Sequence, residues 1–249
     1  MSTSYVRLNV KDKIGYVEFY NPPHNGLPAS MLKSLVNLIT KAGSDPSVAV
    51  VVLKSGGNRT FCAGASFDEL KVVSNAEEGT AFFQGFANVI NALRCCPKIT
   101  IGRVHGKAVG GGVGLAAATD YCLASRYSEI KLSELTIGIG PFVIEPVVTR
   151  KIGLSAMSQL SLEANKFFSA EWAQQKGLYT NIYSSVEDLD IQVMLLAEQL
   201  CSYNPEALNR LKETFWEGTS DWDKLLKKRA AISGRLVLSD FTNKQLKNY

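Results

Sequence analysis

Three stretches carry residue types that could do chemistry. In Phe61-Cys62-Ala63-Gly64-Ala65-Ser66-Phe67-Asp68-Glu69-Leu70, Ser66 stands three residues before Glu69. That is the spacing of a capping box and predicts a short helix starting here. A helix start leaves backbone N–H groups, that of Ala65 among them, near the positive end of the helix dipole. The other reading of Gly64 is a tight turn. The second stretch is Gly106-Lys107-Ala108-Val109-Gly110-Gly111-Gly112-Val113-Gly114-Leu115-Ala116. Three consecutive glycines before an apolar helical run expose donors suited to an anion. The same glycines would equally permit close helix–sheet packing. In the third stretch, Glu134 is the only acid between Glu129 and Glu145, set among apolar residues and glycines. Such surroundings raise a carboxyl pKa by desolvation, which suits proton transfer near neutral pH. A lone surface glutamate is the competing reading.

Taken together, two loops offering backbone donors and one carboxylate in an apolar setting suit enolate chemistry. The donors hold the developing oxyanion, each worth about 3–4 kcal/mol, while the acid moves a proton at the adjacent carbon. Other chemistries fit less well. Gly112-x-Gly114-x-x-Ala117 approaches a dinucleotide fingerprint, and Glu134 lies 20 residues past Gly114. Yet six residues separate Gly111 from Val104, where the preceding apolar strand ends. The Gly…Gly-Lys-Ser/Thr order of a P-loop is absent. Ser66, His24 and His105 show no triad order. Two histidines and five cysteines without C-x-x-C spacing build no metal site.

The elements that must position these residues follow from periodicity. Tyr5–Val10 and Ile14–Phe19 alternate like strands around a Lys-Asp-Lys turn. Pro28 suits the first turn of a helix carrying Leu32, Leu35, Val36 and Ile39. Val48–Leu53 is apolar throughout, as expected of a strand buried on both faces. A long helix with Phe82, Phe86, Val89, Ile90 and Leu93 on one side follows, then a strand over Pro97–Val104. Beyond Gly153 the pattern predicts helices at Ala156–Ala164, Ala170–Lys176, Leu189–Cys201, Ala207–Phe215 and Trp222–Leu238. The fold class is therefore α/β, with a core over residues 1–190 and a helical region over 191–249 that covers the core or a neighbouring subunit.

Composition limits the rest. The 249 residues suffice for a sizeable core, and 46% hydrophobic with 20% charged residues is ordinary globular composition. Val48–Leu53 is the longest apolar run, far short of the ~18 residues of a membrane span. A net charge of +4 with scattered basic residues argues against a nucleic-acid stripe. The first residues, Met1 to Tyr5, lack the apolar region of a secretory leader, and the unpaired cysteines suit a reducing, cytoplasmic setting.

The sequence resembles the crotonase (enoyl-CoA hydratase/isomerase) superfamily over nearly its whole length. The resemblance is carried by Asn21-Pro22-Pro23-His24-Asn25-Gly26-Leu27, Phe61 to Ser66, Gly106 to Gly112, and Ser133-Glu134 with Gly138 and Pro141. It implies the crotonase (ClpP-like) fold, a spiral of ββα units followed by helices used in trimer formation, as a homotrimer or a dimer of trimers. It implies an acyl-CoA thioester as partner, with no cofactor beyond the coenzyme A of the substrate, in fatty acid metabolism. Catalysis would rest on Glu134 and on an oxyanion hole made by the N–H groups of Ala65 and Gly111. Asn25, Leu27, Ala63, Gly64, Phe67, Gly110 and Pro141 would bind substrate, with the adenine near residues 25–27 and 63–65. Lys244 or Lys247 would approach the CoA phosphates from a neighbouring subunit. Two departures matter. Hydratases of this kind carry a second glutamate where this chain has Gly114, and the Asp that commonly follows the Ala-Gly-Ala turn is Ser66. One carboxylate can carry a proton between two carbons, whereas hydration needs a second group to activate water. The sequence therefore leans towards an enoyl-CoA isomerase. A hydratase using Glu145 as its second acid, acting also on branched substrates such as methylglutaconyl-CoA, is the alternative. A non-catalytic acyl-CoA-binding homologue is a further one.

Overall fold

A computed structural model describes residues 3–247 of the chain. Met1, Ser2, Asn248 and Tyr249, on which part of the leader reading and the outer ends of the two regions fall, lie outside the described residues. The chain opens with the expected hairpin of β1 (Tyr5–Lys11) and β2 (Ile14–Tyr20). Lys11 pairs with Ile14 across a two-residue loop, and Asp12 and Lys13 both adopt positive φ, as a tight primed turn requires. Helix α1 (Ala29–Ser44) follows, with Pro28 at its N-cap.

The chain then repeats one pattern. β3 (Val50–Ser55) and β4 (Thr60–Cys62) lead into α2 (Phe67–Lys71) and α3 (Ala76–Cys95). β5 (Ile99–Val104) and β6 (Lys107–Val109) lead into α4 (Gly111–Ala118). β7 (Tyr121–Ser125) and β8 (Ile130–Lys131) lead into a 3₁₀ turn (Glu134–Ile137) and α5 (Glu145–Leu162). In each pair the first strand joins a six-stranded sheet of order β1-β2-β3-β5-β7-β9, and the second joins a three-stranded sheet β4-β6-β8. Apart from β1–β2, the ladders are parallel. This is the expected spiral of ββα units.

The remaining elements are α6 (Ala170–Gln175), β9 (Asn181–Tyr183), α7 (Val186–Cys201), α8 (Pro205–Phe215), α9 (Trp222–Leu236) and α10 (Asp240–Leu246). The period-2 alternation of the central strands serves two cores. Val51 and Leu53 face the main core, shared with α1, α3, α4 and α5, while Val50 and Val52 face α7. Leu189, Val193 and Ala197 form a single i, i+4, i+8 row of α7 on that second face. The division drawn at 190/191 therefore falls inside one helix that belongs to the core.

Other boundaries differ for identifiable reasons. Helix α5 begins eleven residues before the expected Ala156, with Pro146 in its first turn, and Gly153 (φ 76°) interrupts it. The last expected helix ends two residues early, at Leu236, and a further helix not expected from the sequence follows it, capped by Ser239, which accepts from the Thr242 N–H at 3.2 Å. Helix α9 crosses α3 at bare backbone: a Cβ on Gly79 would lie 2.5 Å from the Gly234 carbonyl oxygen. Helix α10 returns to the core, where Leu246 and Val237 pack with Leu70, Ile137 and Ile139. Among the described residues no helix is long and apolar enough to cross a membrane.

Candidate active site

The first of the three stretches is held by strand-like pairing. Leu27 donates to the Gly64 carbonyl at 2.8 Å and accepts from the Ser66 N–H at 3.2 Å. In such a parallel bridge the opposed residue, Ala65, turns its own N–H to the far side. Ser66 caps α2 as expected, accepting from the Glu69 N–H. The reciprocal half of the capping box does not form. The Ser66 N–H is already taken by Leu27, and the Glu69 carboxylate accepts instead from the Ala29 N–H at 2.8 Å.

The glycine stretch meets this segment directly. Gly64, at φ 88°, sits where a Cβ would lie 3.2 Å from the Val109 carbonyl oxygen and 3.6 Å from the Gly111 nitrogen. Gly110 turns through φ 53° and ψ −121°, a conformation side-chain-bearing residues avoid, and starts α4 at Gly111. The first N–H groups of a helix have no intrahelical acceptor. Neither the Gly111 N–H nor the Ala65 N–H donates to a protein acceptor among the described residues. Two unpaired backbone donors therefore belong to adjoining segments that line the same cavity.

Glu134 completes the group. It opens the 3₁₀ turn, which Gly138 ends in the left-handed region, and Phe241 and Thr242 of α10 pack against that glycine. A Cβ on Gly110 would lie 3.0 Å from Glu134 Oε1, so the carboxylate rests over the turn that launches α4. Glu134 Oε2 is buried with no hydrogen-bond partner. Desolvation pushes this carboxyl up to about 7 from its ordinary 4.5, only partly offset by a backbone hydrogen bond.

These groups line one cavity of about 80 Å³. Ala63, Gly64, Ala65 and Phe67 form one side, Gly110 and Gly111 another, and Glu134 and Pro141 a third. Glu134 is the only titratable side chain among the described lining residues, and Ser133 the only other polar one. Asn25 and Leu27 do not line it. Asn25 adopts φ 57° and is spent on the scaffold: its carboxamide accepts from the Asn21 N–H and donates to the carbonyls of Gly56 and Thr60. Leu27 is fully buried behind Ala65.

Several lining residues escaped the sequence reading of the site. Phe82, Phe83 and Phe86 of α3 form an aromatic wall, and Ile144 closes the end of the cavity. Their apolar spacing was visible, but it is identical to that of core residues. Ile144 also explains Gly114. A Cβ there would lie 2.4 Å from Ile144 Cγ2, so no side chain fits at Gly114 while Ile144 keeps its place.

The alternatives fare as follows. Glu145 does not line the cavity; its carboxylate accepts from the Thr149 hydroxyl at 2.9 Å and faces Arg229 at 3.4 Å. Neither histidine lines it, and Ser66 Oγ is occupied as a cap, so no Ser-His pair forms. His105 is buried, and desolvation first, then the Arg103 charge, lower it to about 4. Gly112 and Gly114 lie within α4 under Cys62 and Ile144, which makes the dinucleotide-like spacing a packing feature. Lys247 shares an open surface pocket with Lys71 and Asn243 of the same chain, and Lys244 is not among its lining residues.

Comparison with known proteins gives a consistent result. The family model described as enoyl-CoA hydratase/isomerase matches residues 9–247. The chain is 30% identical to the 2,3-dehydroadipyl-CoA hydratase of Escherichia coli, over 76% of this chain and 72% of that one. It is 26% identical to the peroxisomal Δ(3,5)-Δ(2,4)-dienoyl-CoA isomerase of Arabidopsis thaliana, over 83% of this chain and 78% of that one. The crystal structure of an enoyl-CoA hydratase from Bacillus halodurans superposes with a TM-score of 0.89 over 99% of this chain and all of its own, at 21% identity, a likeness of fold alone.

Proposed function

The chain belongs to the enoyl-CoA hydratase/isomerase family, and from that premise we propose that it moves a carbon–carbon double bond in an enoyl-CoA thioester. The observation that carries this reading is the solitude of Glu134: among the described residues that line the cavity, it is the single titratable side chain. The thioester carbonyl oxygen accepts from the N–H groups of Ala65 and Gly111. Glu134, as carboxylate, takes a proton from the carbon next to the carbonyl of a 3-enoyl-CoA. The electron pair moves onto the carbonyl oxygen as a dienolate, held by the two donors, at about 3–4 kcal/mol each. Glu134, now protonated, returns the proton two carbons further along and the 2-enoyl thioester results.

A carboxyl titrating near 7 suits both halves, since it is neither too weak a base to begin nor too weak an acid to finish. The acyl chain lies against Phe67, Pro141 and the phenylalanines of α3, and the backbone of Ala63, Gly64 and Gly110 flanks the thioester. Coenzyme A arrives as part of the substrate and no further cofactor is required. Assembly into a trimer or a dimer of trimers through the helices beyond α7 belongs to the same proposal, supported by the exposure of Leu211 and Phe215 on α8, and sedimentation velocity tests it.

The activity test offers 3-enoyl- and 2-enoyl-CoA thioesters separately and follows 2-enoyl and 3-hydroxyacyl products. Conversion of the 3-enoyl substrate with little hydration is expected. Efficient hydration of 2-enoyl-CoA, with the 3-enoyl substrate untouched, overturns the reading in favour of a hydratase.

A further inference from the structure

Helix α4 leads from the donor pair into the cavity's far wall. Gly110, at its N-cap, lies under the Glu134 carboxylate, and Gly114 stands one turn further on, about 5.4 Å along the axis. What covers Gly114 is a branched hydrocarbon. A Cβ added there would lie 2.4 Å from Ile144 Cγ2 and 2.9 Å from Ile144 Cβ, with Ile90 Cδ1 at 3.8 Å. Ile144 is itself 3% exposed and lines the cavity, at the residue where the chain enters α5. The place one turn from the proton-carrying group is therefore filled by a side chain that neither donates nor accepts a hydrogen bond.

We propose that Ile144 decides the outcome of the reaction, by packing onto Gly114 and denying a water molecule both room and a hydrogen-bond partner beside the acyl chain. The proposal rests on the double-bond-shifting reading and adds the residue that enforces it. Water needs two to four polar partners to be held at a buried site. The three heavy atoms nearest a Cβ placed on Gly114 all belong to Ile144 and Ile90, and none of them is polar. A dienolate formed at Glu134 then has one fate open to it, return of the proton to carbon, and the 2-enoyl product is shielded from attack at its third carbon. A polar group at residue 144 would give water a partner in the cavity that Glu134 also lines.

The test compares wild type with Ile144→Val, Ile144→Thr and Ile144→Ala, measuring the ratio of 2-enoyl-CoA hydration to 3-enoyl-CoA isomerisation. Valine and threonine have nearly the same shape, so this pair separates polarity from volume. The hydration-to-isomerisation ratio should rise by on the order of tenfold or more in Ile144→Thr relative to Ile144→Val, the effect of one well-placed polar group. Ile144→Ala should raise it through space alone. Adding Glu134→Gln to Ile144→Thr should abolish the new hydration, which ties it to this cavity. Thermal melting confirms folding, and the Val/Thr comparison stands even if the alanine variant does not fold. A ratio unchanged between folded valine and threonine variants of an enzyme that does isomerise overturns the role of Ile144 alone. A wild type that hydrates and does not isomerise overturns the reading beneath it and the proposal together.

Discussion

Replacing Glu134 by glutamine should make the protein more stable and almost inactive, and the two effects should share one pH dependence. In the fold the carboxyl titrates near 7, against 4.5 in an ordinary setting, because burial strips water from its charged form. The native state therefore binds the proton more tightly than the unfolded chain. Stability contributed by this group is complete below pH ~4.5 and is lost as pH rises through 7. At about 1.4 kcal/mol per pH unit, the full loss is about 3 kcal/mol. Glutamine fills the same space and never ionises. Glu134→Gln should match wild type at pH 4.5 and exceed it by up to ~3 kcal/mol above pH 8, an increase in Tm of several degrees for a chain of this size. Meanwhile kcat should fall by at least ~10²-fold, since general acid–base catalysis contributes about 10²–10⁴. The wild-type kcat/KM for a 3-enoyl-CoA should rise with pH to a half-maximum near 7, the step that needs the carboxylate. Urea denaturation of both proteins from pH 4.5 to 9, with the kinetic profile beside it, provides the measurement. A stability difference that stays flat across this range, or a kcat/KM undiminished at pH 5, would refute the claim that burial tunes this carboxyl.

Three further outcomes follow from the packing. Gly114→Ala should cost about 1–3 kcal/mol by overpacking against Ile144. Most of that loss should be recovered in Gly114→Ala/Ile144→Ala, and a double-mutant cycle with no coupling would show that the contact is not what makes Gly114 small. Because no cation lines the cavity among the described residues, an enoyl-CoA ending in a carboxylate should have a kcat/KM lower by about 10²-fold or more than an uncharged one of equal length. Competition kinetics with the two substrates decides this, and equal turnover would place a counter-charge where none is seen. Lys212→Met should destabilise the fold by about 3–5 kcal/mol, since it leaves Asp120 without its buried ammonium partner at 2.6 Å. The hydration-to-isomerisation ratio should not move, because this pair lies outside the cavity.

Much of the fold was legible in the sequence because its periodicities are local. Val50 to Leu53 reads as a strand buried on both faces, and so it is, with alternate residues in two cores. The sequence reading starts this helix at Ala156, beyond Gly153, so the helical turns that run from Glu145 up to that glycine were not legible in it. Glu134 could be found because an acid among apolar residues is conspicuous in one dimension. Asn25 is assigned to the substrate by the family resemblance, through the motif Asn21 to Leu27. Its carboxamide satisfies three backbone groups instead, which only the path of the loop reveals. Phe86 and Ile144 lay beyond reach for the opposite reason. A lining phenylalanine and a core phenylalanine have the same spacing, and what distinguishes Phe86 is that its ring meets Gly111, 25 residues away in sequence.

The glycines of α4 also resolve an opposition that the sequence left open, between donor cradle and packing device. A Cβ on Gly111 would lie 2.3 Å from the Phe86 ring, one on Gly112 would lie 2.4 Å from the Cys62 carbonyl oxygen, and one on Gly114 would meet Ile144. Each glycine admits a different neighbour, so packing accounts for all three. Gly111 and Gly112, in the first turn, also keep N–H groups without a protein acceptor among the described residues, whereas the Gly114 N–H donates to the Gly110 carbonyl at 3.4 Å. The unpaired donors therefore lie at the end of the helix next to Glu134, and a purely steric contact lies one turn beyond. Gly114 is then a packing position in its own right. With Ile144 seated on its Cα, restoring a glutamate there would first require removing a buried hydrocarbon, so Gly114→Glu alone should destabilise the fold rather than add a hydratase function. On the double-bond-shifting reading, single-acid chemistry would rest on a filled space as well as on a missing side chain.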